Sequence, residues 1–83
     1  MNIEIIKDIF KSHKINKVIM IKEPQILNFV ICSMSSSLDF NRWNNLENIL
    51  KYHTKEEISL TSYHQAEKYL GKDYLNKGVI ICD

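Results

Sequence analysis

The sequence predicts an α/β or α+β fold, with a small three-stranded mixed sheet that contains a β-hairpin and is covered by about three helices. Three observations predict it. Apolar stripes at helical spacing alternate with short runs rich in β-branched residues. Only Glu23-Pro24-Gln25 separates the first two of those runs, too little for a parallel crossover, so they must form an antiparallel hairpin. A helix-length segment separates the second run from the third, which makes that pair parallel. With 83 residues, 45% hydrophobic and 25% charged, the chain has the make-up of one domain over residues 1–83. A chain of this size buries only about 60% of its unfolded surface, which leaves one core and no room for a deep enclosed site.

Each element follows from local pattern. Ile5, Ile6, Ile9 and Phe10 form one stripe of a first helix, with Lys7, Lys11 and Lys14 facing away and Asn16 expected to take the turn conformation that ends it. Lys17–Lys22 reads as a strand buried on both faces, stopped by Pro24, and Ile26–Cys32 reads as the second strand. The serine loop offers Ser36 or Ser37 as the cap of a second helix, with Asp39 in its first turn. Phe40, Trp43, Leu46, Ile49 and Leu50 then place one apolar face on the sheet, with Trp43 as its anchor. Ile58–Thr61 alternates as a third strand. Ser62 and Gln65 form a capping box for a third helix with Tyr63, Ala66, Tyr69 and Leu70 inward, interrupted at Gly71 and stopped by Gly78. Val79–Cys82 is a short terminal strand or an extended tail.

Composition excludes several function classes. The net charge of +1 gives no general attraction to nucleic acid or anionic membrane, although residues 1–22 carry five Lys against two acids. Uninterrupted apolar runs such as Val18–Ile21 and Phe29–Cys32 are far shorter than the ~20 residues that span a bilayer, so no membrane partner is expected. Cys32 and Cys82 lie far apart, no C-x-x-C occurs, and His13, His53 and His64 lack metal-ligand spacing. No cofactor is therefore expected. A single disulfide is open to an oxidised chain, but Met1–Phe10 mixes Glu4, Lys7 and Asp8 into its apolar residues, unlike a secretory signal, and the expectation is a reduced cytoplasmic protein.

The order helix, strand, strand, helix, strand, helix, short strand resembles the minimal nucleotidyltransferases of the DNA polymerase beta superfamily. The textual likeness lies in Ser37-Leu38-Asp39 through Leu50, in Glu57-Ile58-Ser59-Leu60-Thr61-Ser62, and in Tyr74-Leu75-Asn76-Lys77-Gly78-Val79-Ile80-Ile81. In active members of that family a Gly-Ser pair holds the triphosphate, while an Asp-x-Asp on the second strand and an Asp on the third hold two metal ions. Carboxylates suit that role because Mg²⁺ prefers hard oxygen ligands. Laid on this chain, the Asp-x-Asp falls on Ile26-Leu27-Asn28 and the third Asp on Ser59, and the Gly-Ser segment has no counterpart. The resemblance thus implies a degenerate, catalytically inactive relative.

The functional expectation follows from that subtraction: a non-enzymatic protein-binding domain acting as an antitoxin, an immunity protein or an inhibitor carried by a phage or other mobile element, an anti-CRISPR protein being one example. Tyr69 and Tyr74 are the candidate partner-binding residues, because Tyr63, Tyr69 and Tyr74 cannot share one helical stripe and an exposed tyrosine anchors an interface well. Asn28, the one polar residue within the second apolar strand, is expected either on the solvent face or hydrogen-bonded at a strand end. His53 and His64 are expected in surface or turn positions. The alternatives are a nucleotidyltransferase subunit completed by a partner chain or by a homo-oligomer, and a small nucleic-acid-binding module that uses Lys7, Lys11 and Lys14.

Overall fold

A computed structural model of the chain describes residues 2–83. The fold is α+β, with elements in the order α1 (Ile3–Ser12), β1 (Ile15–Lys22), β2 (Leu27–Met34), α2 (Phe40–Thr54), β3 (Ile58–Ser62), α3 (Tyr63–Asn76) and β4 (Val79–Cys82). The expected hairpin and crossover are both present: β1 pairs antiparallel with β2, and β3 lies parallel to β2. The sheet has four strands, however, and not three. Val79–Cys82 pairs antiparallel with β1, giving the order β3-β2-β1-β4.

The sheet divides the interior into two unequal parts. On one face Ile6 and Phe10 of α1 and Leu46 and Leu50 of α2 pack on Val18, Leu27, Phe29, Ile31, Ile58 and Leu60. Phe10 and Phe29 meet edge to face, ring centres 5.2 Å apart. On the other face α3 alone covers the sheet, through Ala66, Leu75 and the half-buried Tyr74 against Ile21 and Val30. Central β2 is therefore buried on both sides from Leu27 to Ile31, as its unbroken apolar run requires. Cys82 lies in the first core and Cys32 beside the second, both as free thiols, so they are not paired.

Several local expectations are corrected. Asp39, not Ser36 or Ser37, caps α2, its carboxylate accepting the Arg42 backbone N–H at 2.8 Å. The left-handed residue after α1 is Lys14 (φ 63°), and Asn16 already belongs to β1. The stripe of α2 does not bury its N-terminal end: Phe40 is 80% exposed and Trp43 only partly covered, whereas Leu46 and Leu50 further along the helix lie in the core. Tyr69 and Leu70 point outward from α3. Gly71 (φ 84°, ψ 166°) breaks the regular turn there, and Leu75 beyond the break returns to the core.

Candidate functional site

The parallel register of β2 and β3 sets Asn28 beside Ser59 and Val30 beside Thr61 on the face that α3 covers. A small polar network results. Asn28 is only 4% exposed, and its Nδ2 donates to the Tyr74 hydroxyl at 2.8 Å. The Thr61 hydroxyl donates to Asn28 Oδ1 at 3.4 Å, and the Ser59 and Thr61 hydroxyls lie 3.4 Å apart. Of the two placements expected for Asn28, the solvent face is not observed, whereas hydrogen bonding near a strand end is, Asn28 being the second residue of β2. A polar residue on a strand flanked by two others and roofed by a helix has no water to turn to and must find internal partners. Its main partner, Tyr74, is contributed by the last turn of α3, beyond the break at Gly71.

This network is saturated. Among the described residues no buried side-chain oxygen or nitrogen lacks a hydrogen-bond partner. Burial raises the Tyr74 hydroxyl above the usual phenol range, the Asn28 amide lowers it, and the nearby Glu23 carboxylate adds to the rise. The ring is neutral at physiological pH and acts as a structural partner of Asn28. Tyr74→Phe is expected to lower stability by about 1–2 kcal/mol, since it leaves the Asn28 amide unpaired in a dry site. Chemical denaturation followed by circular dichroism measures this, and an unchanged midpoint would show that water replaces the hydroxyl.

The two partner-binding candidates thus separate. Tyr74 is half-buried at the edge of the α3–sheet contact, its hydroxyl accepting from Asn28. Tyr69 is 72% exposed, with the Lys68 ammonium 5.4 Å from its ring centre and Leu70 exposed beside it. Leu70, Phe40 and Tyr52 are exposed apolar residues that helical periodicity assigns to no surface role. Their one sequence signal is position, next to a helix end or a glycine, where an apolar stripe runs beyond the core it serves.

The lysines separate as well. Lys7 forms an i,i+3 pair with Glu4 at 3.8 Å, and Lys7 and Lys11 lie on the side of α1 toward β4, near enough to lower the Cys82 thiol that burial otherwise raises. Lys14 leaves the helical line through its left-handed backbone and lines a cleft with His13 and Arg42. No single row of three lysines exists. His53 and His64 are exposed, His53 resting edge-on against Tyr52.

Ile26, Asn28 and Ser59, the positions to which the resemblance assigns metal carboxylates, gather near the hairpin end of the sheet, with Asn28 and Ser59 as direct neighbours. Among the described residues no three His, Cys, Asp or Glu side chains converge as metal ligands would. No helix among them is long and apolar enough to cross a membrane. Comparison with protein-family models, with curated proteins and with solved structures gives no match.

Proposed function

We propose that the chain is a non-catalytic protein-binding domain of the cytoplasm, a degenerate nucleotidyltransferase-like scaffold that serves as an antitoxin, an immunity protein or a mobile-element inhibitor. The exposed Tyr69 carries this reading. A large aromatic that makes no core contact, flanked by Leu70 and capped by a cation, has the composition of an interface anchor. The partner it fits is a protein surface with an apolar recess for Tyr69 and Leu70 and a carboxylate on the rim for Lys68. Asn28 and Ser59, held in a saturated network where the resemblance expects metal-binding carboxylates, support the non-catalytic half of the reading.

A photoreactive phenylalanine analogue at position 69 identifies the partner by cross-linking in the native host, and the purified pair is then compared by calorimetry. Tyr69→Ala is expected to leave the melting temperature within about 1 °C, as befits an exposed site, and to weaken binding at least about tenfold, as for an interface anchor. Lys68→Glu is expected to weaken it further and to reduce its salt dependence. Wild-type affinity in both variants overturns the assignment. Metal-dependent nucleotide transfer that is lost in Asn28→Ala would favour the enzyme subunit instead. Salt-resistant RNA or DNA affinity lost on replacing Lys7, Lys11 and Lys14 would favour the nucleic-acid module.

A further inference from the structure

We propose that the cleft between the end of α1 and the start of α2 binds a phosphate dianion, either free phosphate or a small phosphate monoester. The cleft, about 260 Å³, is lined by Ser12, His13, Lys14, Leu38, Arg42 and Asn45: three basic side chains and no acidic one. It lies at the opposite end of β2 from the Asn28 network and does not involve Tyr69.

The backbone that carries His13 and Lys14 is held in place. The His13 N–H donates to Phe10 O at 3.1 Å, the Lys14 N–H to Lys11 O at 3.0 Å, and the Ser35 N–H to Lys14 O at 2.8 Å. Lys14 is thereby held at φ 63°, a left-handed conformation that non-glycine residues seldom adopt. His13 Nδ1 lies 2.9 Å from Ile9 O, and because a carbonyl only accepts, the proton is on Nδ1 and Nε2 is the free nitrogen of the ring. The Ser12 hydroxyl also donates to Ile9 O, at 2.7 Å, so Ser12 shapes the cleft without offering it a proton.

Arg42 stands where a helix alone would not favour a cation. Arg42 lies in the first turn of α2, at the positive end of the macrodipole, and that turn holds no acidic residue inside the helix. The adjoining carboxylate, Asp39, caps the helix through the Arg42 backbone N–H and is not among the cleft residues. Among the described residues the one ion pair is Lys7–Glu4, so neither Lys14 nor Arg42 has a carboxylate partner. Two permanent positive charges, on Lys14 and Arg42, therefore line one small volume together with the His13 imidazole, and a bound dianion offsets their charge. The Arg42 fork suits two phosphate oxygens, Lys14 a third, and the Asn45 amide can donate beside them. Leu38 at the wall leaves space for the first carbons of an ester group.

The full chain, ¹⁵N-labelled, is titrated by NMR at constant ionic strength with inorganic phosphate, methyl phosphate and dimethyl phosphate. Saturable shifts are expected at His13, Lys14, Arg42 and Asn45 with the two dianions. Dimethyl phosphate, a monoanion, is expected to bind at least about tenfold more weakly. Tighter binding of methyl phosphate marks an esterified ligand, and tighter binding of inorganic phosphate marks the free ion; either result supports the site. Lys14→Gln and Arg42→Gln are each expected to weaken binding about tenfold with the rest of the spectrum unchanged, while Lys7→Gln has no effect. Shifts that never saturate, equal binding of dimethyl phosphate, or binding that survives both cleft substitutions overturns the proposal.

Discussion

Phe29→Ala is expected to destabilise the domain by about 3–5 kcal/mol, enough to leave much of the chain unfolded at room temperature. Phe29 is fully buried on the central strand, edge-on to Phe10, at the point where α1, α2 and the sheet converge. Removing the ring opens a cavity bounded by β2 and two helices, which can collapse only by moving elements that are tied elsewhere. Urea denaturation followed by far-ultraviolet circular dichroism gives the magnitude. Phe40→Ala is the control: with 80% of that side chain already in water, its midpoint is expected to stay within about 0.5 kcal/mol of wild type. Equal losses in the two variants would contradict the two-sided packing described for β2.

Gly78→Ala is expected to cost about 2–3 kcal/mol by overpacking. The sequence suggests a glycine chosen for a left-handed helix stop, but Gly71 is the glycine with positive φ, and around it lies open space. Gly78 is small for a different reason. A Cβ there would run into the Ile19 and Ile21 side chains, the latter at 2.7 Å, and approach the Met20 carbonyl at 3.1 Å. The added methyl must push β4 away from β1 or force both isoleucines from their rotamers. The mechanism is separable by a double-mutant cycle: Ile19→Ala should recover part of the Gly78→Ala loss and none of the loss from Gly71→Ala, whose cost is conformational. An absence of coupling between residues 19 and 78 would refute the steric account.

What the sequence could and could not reveal follows from how far each determinant lies along the chain. The hairpin was legible because three residues between two apolar runs permit one geometry, and the β2–α2–β3 crossover because a helix-length segment forces a parallel return. The Ser62 cap was legible for the same local reason, and its hydroxyl does accept the Gln65 N–H, at 3.3 Å. The partner of Val79–Cys82 was not, since a four-residue strand carries no local mark of the edge it joins. For Asn28 the sequence left solvent face and hydrogen-bonded strand end both open because its partner, Tyr74, is remote in sequence; the usable clue was the continuous apolar run around it, which marks a strand with no solvent face. Phe40 and Leu70 were placed inward because periodicity records a direction on the helix and not how far the surface it packs on extends.

The strand order β3-β2-β1-β4 also sets a timetable for synthesis. β1 soon acquires β2 after it leaves the ribosome, but its other edge waits for β4, with residues 23–78 made in between. During that interval the nascent sheet offers Val18, Ile19 and Met20 along an open backbone edge, able to template any extended segment nearby. Closure is a long-range step and correspondingly slow. The four residues that complete the sheet therefore act as a stopper on its most adhesive edge, and a chain interrupted before Val79 would be prone to aggregate even with both hydrophobic layers largely formed.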